Sequence, residues 1–174
     1  DTPGVMLSSA AKEYLKVYGV LVGKKPLIFT NNDSGYETAI EFKKNGIDPV
    51  ILDTRKDPKS EIIDEAKNLN INIKFSYVVV VAKGYKKVKS ADIAKISEDK
   101  KELGAIENVN CDCICVSGFW TPTIHLASQS GNKTKFNKDI DAFVPGISKQ
   151  NETTLGAANG TFTLEETLKN SFDS

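Results

Sequence analysis

The sequence of 174 residues lacks several features that mark particular classes of protein. It contains 23 basic and 23 acidic residues, so no excess of positive charge favours a nucleic-acid partner. No apolar run approaches the roughly 20 residues that span a bilayer, and no secretory signal pattern is present. The composition is typical of a soluble globular domain, and we expect a cytoplasmic protein. Because the chain lacks an initiator Met, we expect it to be a piece of a longer protein.

Residues that commonly carry catalysis or bind metal ions are scarce. His125 is the sole histidine, and no motif links a nucleophile to it. Cys111, Cys113 and Cys115 alternate along a predicted strand, so we expect their thiols on one face. This spacing suits neither an unstrained disulfide nor a tetrahedral metal site and indicates buried thiols in a reducing compartment. We therefore predict no catalytic residue and no metal ligand, and we expect Trp120 to pack or to anchor an interface.

Hydrophobic periodicity predicts an α/β fold. Helices are expected over residues 7–18, 36–44 and 61–69, alternating with strands at 27–29, 50–52 and from residue 71. This alternation predicts a parallel sheet with right-handed crossovers. Further strands, at 77–82, at 86–88 with 92–96, and at 111–116, have no helices between them. They predict a three-stranded antiparallel excursion and a return to the parallel sheet. A short strand ending at Gly146 and a helix from about Leu164 to Asn170 are expected near the end.

The segment TNNDSGY, which follows the first buried strand, stands where a dinucleotide-binding turn would lie. That turn normally reads Gly-x-Gly-x-x-Gly, and here the three positions hold Thr30, Asn32 and Gly35. The first two glycines allow a tight turn and the approach of a pyrophosphate, whereas the third lets helix pack on strand. Only the packing glycine is retained, and Asp33 adds a carboxylate beside the expected anion.

Two interpretations of this turn stay open. In one, it binds a pyrophosphate through Asn32, Asp33, Ser34 and Gly35. Asp53, which ends the second strand about 20 residues later, would then bond an adenosine ribose. In the other, residues 34–37 form a Ser-x-x-Glu capping box whose side chains bond the free N–H groups of the helix start. A phosphate would use those same groups, so a self-capped helix needs no anion. We expect the second interpretation.

Four segments together resemble the alpha subunit of heterotetrameric sarcosine oxidase: IFTNNDSGYETA, CDCICVSGFWTPTIHLASQSG, FVPG and GAANGTFTLEETL. The resemblance extends over nearly the whole chain, and alpha subunits of amine, proline and opine dehydrogenases share the layout less closely. It implies the fold of a two-dinucleotide-domain flavoprotein. The expected fold class is an FAD/NAD(P)-binding Rossmann-like α/β domain, with a parallel sheet, a three-stranded antiparallel meander and flanking helices.

The resemblance also implies a domain organisation. Residues 1–22 would form a helix leading in from a first dinucleotide domain, and residues 23–138 an inserted second NAD-binding-like domain in degenerate form. Residues 139–174 would return to the first domain, whose own fingerprint would lie upstream. NAD held there would be lined on its far side by Gly146, Gly156, Ala157 and Asn159.

For the complete enzyme, the resemblance implies oxidative demethylation of sarcosine to glycine, with hydrogen peroxide and formaldehyde or methylene-tetrahydrofolate as further products. The alpha subunit would hold NAD, FMN would lie between alpha and beta, and FAD would lie in beta. Beta, gamma and delta subunits would be its partners. The isolated chain is expected to be inactive and to bind nucleotide weakly or not at all. The alternatives are a free-standing nucleotide- or protein-binding regulatory module, and the alpha subunit of a related amine, proline or opine dehydrogenase.

Overall fold

The computed structural model describes residues 2–99 and 101–172. The chain divides after Phe119 into two compact units. The first unit contains, in order, β1 (Val5–Leu7), α1 (Ser8–Tyr18), β2 (Pro26–Thr30), α2 (Ser34–Lys44), β3 (Val50–Asp53), α3 (Glu61–Asn68), β4 (Asn72–Phe75), β5 (Tyr77–Lys83), β6 (Ser90–Ile96), β7 (Leu103–Asn110) and β8 (Cys113–Ser117). The predicted alternation of helices and strands up to β4 is confirmed.

A parallel five-stranded sheet with the order β1-β8-β2-β3-β4 forms the centre of the first unit. From β2 the chain moves outward through β3 and β4, and it later returns on the other side of β2 as β8. Ile114 of β8 consequently lies opposite both Val5 of β1 and Leu27 of β2. Open α/β sheets bind ligands where the strand order reverses in this way, outside the carboxyl ends of the strands. Here that position lies between the ends of β2 and β8.

Both faces of this sheet are covered, as is usual for parallel sheets. Ile28 and Ile51 point to one face, where they pack with Tyr36 and Phe42 of α2 and Ile63 of α3. The residues beside them in the strands point to the other face, because side chains alternate along a strand. That second cluster contains Leu27, Leu52, Val88, Ala91, Ile93, Cys111 and Ile114.

The second face is covered by an antiparallel sheet of three strands in the order β5-β6-β7. Strand β7 was not predicted, because seven of its eight residues are exposed and its sequence shows no alternation of apolar and polar residues. The predicted strand at residues 86–88 is wrong, since β6 begins at Ser90. The segment predicted at 111–116 is a strand from Cys113 and belongs to the parallel sheet as β8.

The second unit contains α4 (His125–Gln129), β9 (Thr134–Asn137), β10 (Ala142–Pro145), a 3-10 helix (Gly156–Asn159) and α5 (Leu164–Phe172). Strands β9 and β10 form an antiparallel pair in which the rings of Phe136 and Phe143 lie 5.2 Å apart, edge to face. The predicted strand before Gly146 and the predicted last helix are confirmed, whereas α4 and β9 were not predicted.

The three cysteines are free and buried. Cys113 and Cys115 share one face of β8, with their Sγ atoms 3.6 Å apart, but Cys111 packs into the cluster on the opposite face. The expectation that all three thiols share a face is therefore wrong, because Cys111 precedes the strand. Among the described residues, no group of His, Cys, Asp or Glu is arranged to hold a metal ion. Within the same ranges, no helix has the length and apolar character needed to cross a membrane.

Candidate functional site

The candidate site is the turn of residues 31–33, which joins the carboxyl end of β2 to the first residue of α2. Thr30, at the first glycine position of the fingerprint, is buried at the end of β2. Its Oγ1 donates a hydrogen bond to the carbonyl oxygen of Asn32 at 2.8 Å and accepts one from the Asn32 N–H at 3.2 Å. The threonine side chain thus fixes the backbone of the turn through both the N–H and the carbonyl group of Asn32.

Gly35 occupies the third glycine position, in the first turn of α2 and close to Thr30 of β2. A Cβ atom at this position would lie 2.6 Å from Cβ and 2.7 Å from Oγ1 of Thr30. Contacts below 3 Å are not tolerated without a shift of the backbone or of its neighbours. Glycine is therefore required here by the packing of the helix on the strand.

Asn32, at the second glycine position, connects the turn that follows β2 to the turn that follows β8 through side-chain hydrogen bonds. Its Nδ2 donates to the carbonyl oxygen of Gly118 at 2.5 Å and to Oδ1 of Asn31 at 2.9 Å. Its Oδ1 accepts from the backbone N–H of Ser34 at 3.0 Å. That N–H is one of the groups at a helix start that a phosphate would otherwise bind.

The predicted capping box is not formed. The hydroxyl of Ser34 is hydrogen-bonded to Oδ1 of Asn32 and to Oγ of Ser117, both at 2.6 Å, rather than to the helix backbone. The carboxylate of Glu37 forms an ion pair with Lys12 of α1. Asp33, which directly precedes the helix, makes no side-chain capping bond either. The backbone N–H of Ser34 instead donates its hydrogen bond to the side chain of Asn32, which lies one residue before Asp33.

Asp53 ends β3 and is completely buried. Its Oδ2 accepts from the Tyr36 hydroxyl at 2.7 Å and from Nη2 of Arg55 at 2.9 Å. Its Oδ1 accepts from the backbone N–H of Arg55 at 2.9 Å and from Nε of the same residue at 3.1 Å. Burial, followed by the hydrogen bond to Asp53, raises the pKa of Tyr36 well above its ordinary value. Both carboxylate oxygens are therefore already bonded within the chain.

Arg55 joins the turns after β2 and β3. Besides its bonds to Asp53, its Nη1 lies 2.8 Å from Oδ1 of Asp33. Burial lowers the pKa of the guanidinium, but the bonds to Asp53 and Asp33 outweigh burial and raise it. Sequence reasoning did not find Arg55, Tyr36 or Ser117. The sequence did contain a signal for Arg55, since this cation follows Asp53 at the end of β3 by two residues. The carboxylate of Asp33 was expected near the same edge of the sheet.

These residues do not fit a dinucleotide phosphate. The side chains of Thr30 and Asn32 occupy the positions where the fingerprint has glycine, and the Ser34 N–H is already bonded. The two carboxylates of Asp33 and Asp53 share the single guanidinium of Arg55, which leaves an excess of negative charge where an anion would lie. A pyrophosphate would have to displace Asn32, and a ribose hydroxyl would have to displace Arg55.

The other four predicted site residues lie in the second unit. Gly146 follows β10 and donates its N–H to the carbonyl oxygen of Lys133 at 2.9 Å. Gly156, Ala157 and Asn159 are brought together in the 3-10 helix, which packs against β10. Gly156 is buried with φ at +64°, a conformation that favours glycine, while Ala157 and Asn159 are exposed.

His125 and Trp120 also lie in the second unit. His125 is the exposed first residue of α4. The ring of Trp120 lies 6.0 Å from that of Phe162, and more than half of the tryptophan surface remains exposed. Neither residue is part of a nucleophile–base arrangement among the described contacts.

Comparisons with known proteins agree with the family predicted from the sequence. The chain is 31% identical over 170 residues, 97% of its length, to sarcosine oxidase subunit alpha of Corynebacterium sp. (strain P-1). It is 34% identical over 160 residues, 91% of its length, to the same subunit of Rhizobium meliloti (strain 1021). The predicted resemblance is confirmed. The chain spans 17% and 15% of the lengths of these two sarcosine oxidase alpha subunits, and no protein-family model matches it.

Solved structures agree on the fold. Thioredoxin reductase of Lactococcus lactis matches 95% of this chain and 53% of its own, with a TM-score of 0.67 and 16% identity. L-proline dehydrogenase of P. horikoshii matches 91% of this chain and 26% of its own, with a TM-score of 0.52 and 18% identity. At such identities the likeness concerns the fold alone. It confirms the predicted α/β class, an FAD/NAD(P)-binding Rossmann-like fold.

Proposed function

We propose that this chain is the part of a sarcosine oxidase alpha subunit that carries a degenerate NAD-binding-like domain. Its role is architectural, and the isolated chain has no catalytic activity. The observation that carries this proposal is the closure of the first turn, where Asn32 bonds both the helix start and the turn after β8. The similarity to two sarcosine oxidase alpha subunits over nearly the whole chain supports the family assignment.

The complete protein would be a cytoplasmic enzyme that demethylates sarcosine oxidatively to glycine, giving hydrogen peroxide and formaldehyde or methylene-tetrahydrofolate. It would act together with beta, gamma and delta subunits. NAD would be bound by a first dinucleotide domain, with Gly146, Gly156, Ala157 and Asn159 on its far side, and FMN and FAD would be held elsewhere in the complex. The division of this chain into residues 1–22, 23–138 and 139–174 belongs to the same proposal.

Calorimetric titration of the chain with NAD+ tests the closed turn. We expect no saturable binding up to about 1 mM, a concentration that corresponds to only about 4 kcal/mol of binding free energy. Asn32→Asp keeps the side-chain shape but adds a negative charge at the mouth of the turn, and Asn45→Asp makes the same change at the far end of α2. Micromolar binding by the unaltered chain that Asn32→Asp abolishes and Asn45→Asp preserves would contradict the proposal.

A second candidate is a free-standing nucleotide- or protein-binding regulatory module. It is favoured by the complete core of the first unit, which is covered on both faces of its sheet. It requires residues 139–174 to be as resistant to proteases as the first unit. Limited proteolysis followed by mass spectrometry separates the two candidates, since early cleavage within 139–174 counts against the module.

A related amine, proline or opine dehydrogenase is the remaining alternative for the family. The likeness to the P. horikoshii L-proline dehydrogenase structure supports it at the level of the fold. Oxidation assays on the complete protein assembled with its partners would distinguish these enzymes. Turnover of sarcosine without turnover of proline is the expected result, and the reverse would favour the alternative.

A further inference from the structure

Two buried thiols lie side by side on the helix-covered face of β8, and the architectural role does not use them. Cys113 and Cys115 are 1% and 0% exposed, and their Sγ atoms lie 3.6 Å apart. Both belong to the helix-side cluster, the part of the core beneath α1, α2 and α3. Two nucleophilic atoms this close can bind the same third atom, which a single buried cysteine cannot do.

The separation of the two sulfur atoms suits a bridging atom and does not suit a disulfide. A disulfide requires an S–S bond of about 2.05 Å and Cβ atoms about 3.8 Å apart. Residues two apart on a strand are roughly 6.6 Å apart along it, so Cys113 and Cys115 meet that requirement only if β8 distorts. By contrast, two bonds of about 2.3 Å, the length of a zinc–thiolate bond, span 3.6 Å at an angle of about 100°. An atom with three single bonds in a pyramid adopts an angle of that size.

We propose that Cys113 and Cys115 form a binding site for a trivalent arsenical. For an arsenical R–As=O, each sulfur forms one bond to arsenic, and the two thiol protons leave with the oxygen as one water molecule. Neither arsenic nor sulfur changes oxidation state. The product carries no charge, as a buried position in an apolar cluster requires.

A structural metal ion fits this pair less well. Structural zinc takes four ligands. Among the described residues, no group of three or more His, Cys, Asp or Glu side chains is arranged to hold a metal ion. Trivalent arsenic that already carries one organic group needs two further bonds, and the pair supplies two thiols. The number of ligands therefore favours the arsenical.

The pair also differs from the third cysteine in its readiness to react. The hydrogen bond between the two sulfur atoms lowers the pKa of Cys113, so this thiol supplies the thiolate that attacks arsenic first. Burial raises the pKa of Cys111 to about 11. Because Cys111 is also buried but lies in the cluster on the opposite face of the sheet, it serves as a matched control.

Helix α1 covers the site and controls access to it. The helix joins β1 to β2, and β8 lies between these two strands, so α1 crosses β8. Among the described contacts, α1 begins without a side-chain cap, and the buried hydroxyl of Ser8, its first residue, has no hydrogen-bond partner. Both features weaken the helix. Weakly held elements open locally while the core stays folded, so we expect the arsenical to enter when α1 lifts from β8.

Mass spectrometry of the intact 174-residue chain, treated with phenylarsine oxide in native buffer, tests the proposal. We expect one phenylarsenic group per chain, which dimercaptopropanol removes and mercaptoethanol does not, because only a dithiol replaces both bonds at once. Cys113→Ala and Cys115→Ala should each weaken binding at least about a hundredfold, since one of two linked bonds is lost. Cys111→Ala should leave binding unchanged.

Two results would overturn the dithiol site. One is an adduct that forms only after unfolding in urea, and the other is equal loss of binding in Cys111→Ala and Cys113→Ala. Thermal unfolding by circular dichroism verifies that each variant is folded. The unaltered chain gives an independent readout by alkylation with iodoacetamide after the adduct is unfolded. Cys111 should then be alkylated while Cys113 and Cys115 stay protected, and the reverse pattern would contradict the proposal.

The binding rate tests the role of α1. Ala11→Gly weakens this helix and should speed binding about fivefold, the factor that corresponds to the lower helix propensity of glycine. Ala66→Gly makes the same change at a buried position of α3, which joins β3 to β4 and so lies away from β8, and should leave the rate unchanged. Because interiors are close-packed, bound arsenic should hold α1 off the sheet and speed amide hydrogen exchange over residues 8–18. Equal acceleration by the two variants would refute entry beneath α1.

Discussion

The two units of the chain differ in how they bury their apolar side chains. In the first unit, both faces of the parallel sheet are covered, and large side chains such as Phe42 and Tyr36 are completely buried. In the second unit, the buried apolar side chains among those described are those of Pro122, Ala127, Ala142 and Val144. Helix α5 has no buried residue, and its apolar side chains Leu164, Leu168 and Phe172 are all at least half exposed.

This difference indicates where the stability of the chain originates. Burial of apolar surface stabilises a fold by roughly 25 cal/mol per Å², so the first unit carries nearly all of the stabilising core. A nine-residue helix with no buried side chain has little to hold it, because isolated helices of that length are marginal in water. We expect the first unit to unfold cooperatively and the second to contribute little to that transition.

The largest expected effect comes from removing a core side chain of the first unit. Phe42→Ala should lower the free energy of unfolding by about 3–5 kcal/mol, since it leaves a cavity in the helix-side cluster. Phe143→Ala makes the same change in the second unit, where the ring is 53% exposed, and should cost less than about 1.5 kcal/mol. Urea unfolding followed by far-UV circular dichroism measures both. Equal costs would refute the proposed contrast between the units.

A smaller effect is expected from adding a methyl group where the first turn of α2 packs against Thr30. Gly35→Ala should destabilise the first unit by about 1–3 kcal/mol, because the added methyl group meets the Thr30 side chain. Gly118→Ala is the matched control, since an added Cβ there has no neighbour within 4 Å among the described contacts. A comparison of melting temperatures suffices. A tolerated Gly35→Ala would mean that the helix does not depend on this close approach.

Alkaline pH should destabilise the first unit and thereby distinguish its unfolding from that of the second unit. The pKa of Tyr36 is raised on folding, so above about pH 10 the unfolded chain loses a proton that the folded chain keeps, and stability falls as pH rises. The slope from this group approaches about 1.4 kcal/mol per pH unit. Burial also raises the pKa of Cys111 to about 11, which acts in the same direction from a lower pH.

All five tyrosines and all three cysteines precede residue 120, so only the first unit carries these groups. Unfolding free energies between pH 9 and 11.5 should therefore fall, and Tyr36→Phe should reduce the slope above pH 10. The fluorescence of Trp120, the sole tryptophan, reports on the second unit in the same samples. A slope that Tyr36→Phe leaves unaltered would show that the buried phenol is not its source.

The smallest effect is expected on α5. Leu168→Ala should change the free energy of unfolding by less than about 0.5 kcal/mol, as is usual for exposed sites. Differential scanning calorimetry of this variant, beside Ile63→Ala on the buried face of α3, gives the comparison directly. A cost above about 2 kcal/mol for Leu168→Ala would show that α5 is packed in solution.

The sequence predicted the buried parts of the first unit well and its exposed parts poorly. Strands β2 and β3 were predicted because both faces are covered and their residues are continuously apolar. Strand β7 was missed because its exposed residues carry no periodic pattern. Strand β1 has only three residues, and its identity depends on pairing with β8, which lies far along the chain.

The turn was expected to bind no phosphate because of a capping box, and the side-chain bonds at this turn differ from the expected ones. The Ser34-to-Glu37 pattern has the letters of a capping box, yet Ser117 and Lys12 engage those two side chains from distant segments. Arg55 was missed for the same reason, because its role depends on Asp33 and Asp53 being brought together by the fold. A short sequence pattern predicts hydrogen bonds between neighbouring residues. The bonds of Ser34, Glu37 and Arg55 instead depend on residues that only the tertiary fold brings together.

The position of β8 has a consequence for how the chain folds as it is synthesised. Strand β1 borders β8 alone in the parallel sheet, and β2 needs β8 on one side. Both early strands therefore leave the ribosome with open edges that stay unpaired until residue 117 has emerged. Pairing between such distant segments is slow, and unpaired edges are prone to aggregation in the meantime. Any truncation before β8 would leave a sheet without its second strand.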